Sequence, residues 1–133
     1  MKQTSFKWKT QPGFIKVMFF IYAICFLIGG LRHWVDILHG GMFPYNTIPF
    51  IFNIYLTSLA IFDFIVIVLL FIRPIWGLLL AISIMASDLI TDFYVGYHYW
   101  NINLQTNLGL QLLVAFGLFV FISAPLLIKC LKK

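Results

Sequence analysis

Four long apolar stretches run through the chain, and short polar segments part them. The stretches cover residues 14–38, 48–72, 75–97 and 107–128. Each holds about the 20 apolar residues that a helix needs to cross a bilayer. The separators are rich in turn formers: HGGMFPYNT after the first stretch, Arg73-Pro74 after the second and YWNINLQT after the third. Glycine, proline and asparagine interrupt helices and initiate turns. This pattern predicts an all-α integral membrane protein, a four-helix transmembrane bundle. It forms one transmembrane domain over residues 1–133, with short tails at 1–13 and 129–133. The tight Arg73-Pro74 connection makes the second and third helices antiparallel neighbours. The basic start and first apolar run resemble a signal peptide. That run is longer than such a segment needs, and no A-x-A cleavage site follows it, so it reads as a retained span.

Composition agrees with the pattern. Hydrophobic residues make up 62% of the 133 positions and charged residues 10%, against about 25% charged in soluble domains. The lipid bilayer is therefore the first partner. A net charge of +5 would suit nucleic acid, but its distribution does not. Lys2, Lys7, Lys9, Lys16, Arg73, Lys129, Lys132 and Lys133 fall on one side of the expected bundle, and Arg32 alone falls on the other. Such asymmetry is a topology signal rather than a phosphate-binding face. It predicts both termini in the cytoplasm, in a bacterial inner membrane or a plasma membrane. Cys25 and Cys130 fall at different depths, so a disulfide between them is not expected.

Topology exposes a further clustering. Three of the four acids, Asp36, Asp88 and Asp92, lie toward the outer end, together with Arg32, His33, His39 and His98. Uncharged polar residues follow: Asn53 and Thr57 on the second helix, Ser87 and Thr91 on the third, Asn107 and Gln111 on the fourth. Polar groups within lipid must turn inward and find partners. One outer polar pocket is the simplest consequence. Arg32, His33, Asp36, Asn53, Asp88, Asp92, His98, Asn107 and Gln111 are its candidate ligand-binding residues. Asp88 and Asp92, one helical turn apart, cannot easily both ionise in a low-dielectric site. Proton uptake, pairing with Arg32 or a histidine, or binding of a cation would resolve the conflict. Asp63 stands apart, roughly 13 Å from the inner end of its helix. It is a candidate proton relay, or a structural acid bonded to Ser83 or a backbone carbonyl.

Enzyme signatures are sparse. No HExxH and no GxSxG motif occurs, and the histidine spacings match no membrane di-iron pattern. No metal ligand set and no cofactor are assigned. The leading expectation is binding, or transport, of a small ligand, cation or lipid headgroup, with transport requiring a homo-oligomer. An alternative is a membrane enzyme acting on a lipid, sterol or quinone through His33 or His98 and an aspartate. Another is an accessory subunit of a larger membrane complex. In size, helix count, polar end of the first helix and basic tail, the chain resembles DoxX-like proteins and the EXPERA domain of sterol isomerases. The latter resemblance implies buried acids that hold a cationic amine, a role open to Asp36, Asp88 and Asp92. No motif carries the likeness, and no residue is transferred by it.

Overall fold

The computed structural model describes residues 6–133, and Lys2, counted above as a topology signal, lies outside them. A short 3-10 turn at Trp8–Thr10 precedes four α-helices: α1 (Gly13–Gly40), α2 (Phe50–Ile72), α3 (Pro74–His98) and α4 (Leu108–Leu131). No strand occurs among the described residues. All four helices are long and apolar enough to cross a membrane. The fold is thus an all-α, four-helix transmembrane bundle.

Local chemistry explains the helix ends. Pro12 and Pro49 immediately precede α1 and α2, and Pro74 opens α3. Proline's fixed φ and missing N–H suit a helix start. The second helix was expected from residue 48 but begins at Phe50, because the residue before a proline is steered away from helical backbone. Gly41, at φ 85°, closes α1, a conformation that costs glycine little. At the other extreme α4 runs to Leu131, past the expected end at 128. Lys129, Cys130 and Leu131 contain no breaker, and lysine and leucine are good helix formers.

Consecutive helices pack as antiparallel neighbours, α1 on α2, α2 on α3 and α3 on α4. At Gly77 the chain passes tightly against backbone: a Cβ there would lie 2.6 Å from the Leu70 backbone nitrogen. The bundle closes between α1 and α4 at Tyr22, whose hydroxyl is 2.7 Å from Ser123 Oγ and whose ring meets Phe116 and Phe119. Ser123 in turn donates to the Phe119 carbonyl. Phe19, Tyr22, Leu59, Val66, Leu70, Leu78, Val95 and Val120 form the fully buried centre. Only 28–33% of each span's most apolar window is buried, so lipid must cover the remainder. One end of the bundle carries the loops 41–49 and 99–107, joined by a Trp100 Nε1 to Thr47 Oγ1 bond of 2.8 Å. We call it the loop end. Arg73, the start of α1 and the end of α4 share the opposite, hairpin end.

Candidate functional site

At the loop end, side chains of α1 and α2 hold the 41–49 loop. Tyr45 donates its hydroxyl proton to Asp36 Oδ2 at 2.7 Å. The Tyr45 hydroxyl oxygen also lies 3.0 Å from His33 Nδ1. A phenol has one proton, so His33 Nδ1–H must be the donor in the second bond. This leaves His33 Nε2 outside the chain His33–Tyr45–Asp36. Burial, the Asp36 hydrogen bond and the Asp36 charge together push the Tyr45 hydroxyl far above its ordinary range, so it remains a donor. Asn53 secures the loop from below. Its Oδ1 accepts from the Tyr45 backbone N–H at 3.3 Å, and its Nδ2 donates to the Phe43 carbonyl at 3.2 Å.

Beneath this loop three carboxylates step down the bundle. Asp88 and Asp92 are half-buried on α3, and Asp63 is buried on α2. At 1.5 Å per residue, Asp92 stands roughly 6 Å above Asp88 along α3. Asp88 is roughly 21 Å from the start of α3 and Asp63 roughly 13 Å from the end of α2, so Asp63 is the deepest. Among the described residues none donates a hydrogen bond to these three acids, and no fully buried side-chain oxygen or nitrogen lacks a partner. Their oxygens must therefore face accessible space. Asp88 feels the charges of Asp92, Asp63 and Arg32. The Tyr55 hydroxyl feels all three carboxylates and bonds Ser87 Oγ at 2.6 Å, tying α2 to α3 beside them.

Asp63 turns toward α1 rather than toward Ser83. A Cβ added at Gly29 would lie 3.1 Å from Asp63 Oδ2, and one at Gly30 would lie 3.3 Å from Asp63 Cβ. Ser83 instead donates to the Leu79 carbonyl on its own helix. The glycine pair is thus where α1 makes room for the acid.

The remaining candidates are distributed unequally. Arg32 reaches across to α4, where a Cβ at Gly109 would be 3.3 Å from its Nη1. Its charge acts on Asp88, Asp92 and Tyr45. Asn107 caps α4, accepting from Leu110 N–H at 2.8 Å. Gln111 is exposed and donates to the Leu104 and Gln105 carbonyls, which fixes the second loop. His98 is exposed, stacked on Tyr94 at 4.3 Å and bonded to the Tyr94 carbonyl. His39 is also exposed and bonds the Val35 carbonyl. The structure therefore gathers Arg32, His33, Asp36, Asp63, Asp88 and Asp92, with Asn53 supporting the loop above them. It leaves His98, Asn107 and Gln111 at the rim. Tyr45 and Tyr55 belong to the site without having been expected there. Tyr45 reads as an interfacial aromatic and Tyr55 as one more ring on an apolar helix, so neither carried a signal.

Among the described residues no three His, Cys, Asp or Glu side chains converge as a metal-holding group. Comparison with protein-family profiles, curated proteins and solved structures finds no match for the chain. The outline likeness to DoxX-like and EXPERA proteins gains no support from it.

Proposed function

We propose that this small multi-pass membrane protein binds a small organic cation of the ammonium type, in a pocket reached from the loop end between α1, α2 and α3. One observation carries the reading. Asp63, Asp88 and Asp92 have oxygens facing accessible space, yet receive no hydrogen bond among the described residues. Unpartnered carboxylates in a low-dielectric site are costly, and a bound cation relieves that cost. Arg32 supplies one positive charge against three negative ones. The roughly 6 Å step between Asp88 and Asp92 suits an ammonium group between them better than one tightly coordinated ion.

Asp36, held by Tyr45, forms the mouth, and Arg32 and His33 form the opposite wall. The asymmetry of Lys and Arg supports a cytoplasmic hairpin end, which puts the mouth outside. Below Asp63 the bundle is filled by Phe19, Tyr22, Leu70 and Leu78. Binding therefore needs no more than this chain, whereas transport would use Asp63 as an inner relay and require an oligomer.

Titration of the full chain in nanodiscs with tetramethylammonium tests the reading. Saturable binding is expected, weakened at least about tenfold in Asp88→Asn and in Asp92→Asn, a loss near 1.4 kcal/mol. Equal affinity in wild type and variants would overturn it. A second reading rests on the His33–Tyr45–Asp36 chain, which could perform acid–base chemistry on a headgroup through the free His33 Nε2. Tyr45→Phe separates the two: it abolishes such turnover and spares the carboxylates that hold the cation.

A further inference from the structure

The hairpin end carries a second feature, opposite in charge to the acid pocket. Below the Tyr22–Ser123 contact, α1 and α4 part and leave an open groove of about 430 Å³. Phe14, Val17 and Met18 line one wall, and Leu126, Leu127 and Cys130 the other. Tyr22 and Ser123 satisfy one another at its closed end. The groove walls are apolar, and the groove runs from mid-span to the membrane surface.

Cations gather where it opens. Lys129 adjoins Cys130 on α4, and Lys132 and Lys133 follow at the helix end. Lys7, Lys9, Lys16 and Arg73 occupy the same end of the bundle. All four Asp side chains of the chain lie elsewhere, at positions 36, 63, 88 and 92, and the sequence contains no Glu. No acidic side chain therefore neutralises this end. Bare lysines at a membrane surface attract anionic headgroups. An apolar slot that starts beside them has the chemistry of an acyl chain.

We propose that the groove between α1 and α4 is a site for one anionic phospholipid. One acyl chain lies between Val17 and Leu126, below the Tyr22–Ser123 contact. The phosphate lies at the mouth with Lys129, Lys132 and Lys133. A zwitterionic lipid would gain the apolar contact but not the charge, and a soluble phosphate the charge but not the contact. The site is independent of the acid pocket, which opens at the other end.

Native mass spectrometry of the full chain tests this, with titration of phosphatidylglycerol and phosphatidylcholine of identical chains. One retained phosphatidylglycerol is expected, bound at least about tenfold more tightly than phosphatidylcholine. Replacing Lys129, Lys132 and Lys133 together by glutamine should erase that preference. Val17→Trp fills the groove from a position already 58% exposed, so it leaves the fold alone and should displace the lipid. Leu112→Trp, on an exposed face outside the groove, should not. The proposal is overturned by equal binding of both lipids, by lipid retention in Val17→Trp, by full competition from glycerol phosphate, or by a second copy of the chain occupying the seam.

Discussion

Asn53 is 4% exposed on α2, and its amide is used on both sides, accepting from Tyr45 and donating to Phe43. Asn53→Ala would strand two loop groups, at a cost of about 1–3 kcal/mol for unsatisfied partners. Thermal unfolding in detergent reads this as a lowered midpoint. Tyr45→Phe removes the donor to Asp36 and the acceptor of His33, so a loss of about 1–3 kcal/mol is expected there too. That loss should be the same at pH 7 and at pH 9, because burial keeps the Tyr45 hydroxyl protonated far above that range. A loss that disappeared at pH 9 would mean the hydroxyl ionises in the folded protein. The importance of the acids was legible in the sequence, since a carboxylate within an apolar stretch must be accommodated somewhere. Their hydrogen-bond state was not. Asp36 could pair with Arg32 one turn away, yet it takes Tyr45 from a loop, because the loop's path brings a neutral donor closer.

At the level of helices, spacing fixes which residues share a face but not how that face is rotated in the bundle. Asn107 and Gln111 do lie one turn apart as expected. Both serve the start of α4 and its preceding loop instead of the interior. Unsatisfied N–H groups at a helix start compete for such side chains, and here they win. Asn107→Ala should therefore cost about 1 kcal/mol through the lost cap and leave cation affinity unchanged, which titration beside thermal unfolding can establish. Glycine separates close contact from open surface. Gly77→Ala sets a methyl 2.6 Å from the Leu70 backbone, and no side chain can yield. A loss of about 1–3 kcal/mol is expected. At Gly13 a Cβ meets nothing within 4 Å, and Gly13→Ala should be neutral or slightly stabilising. The four spans were readable because hydropathy and length are local properties. The Gly29–Asp63 approach was not, because it joins residues 34 positions apart in sequence.

As a whole, the molecule is polarised along the membrane normal. Acids fill the upper interior and cations ring the hairpin end, with Phe19, Tyr22, Leu70 and Leu78 between them. The distribution of lysine and arginine supports the proposal of a cytoplasmic hairpin end, and on that proposal a reporter fused after Lys133 should read cytoplasmic. A periplasmic or extracellular reading would invert the pocket's access. The proposed cation pocket is tested most directly by anomalous diffraction from crystals soaked in tetramethylarsonium, an ammonium analogue with a heavy centre. The proposed site should give a peak between α1, α2 and α3 beside Asp88 and Asp92, lost in Asp88→Asn. No peak there at saturating concentration, or the same peak in the variant, would contradict it.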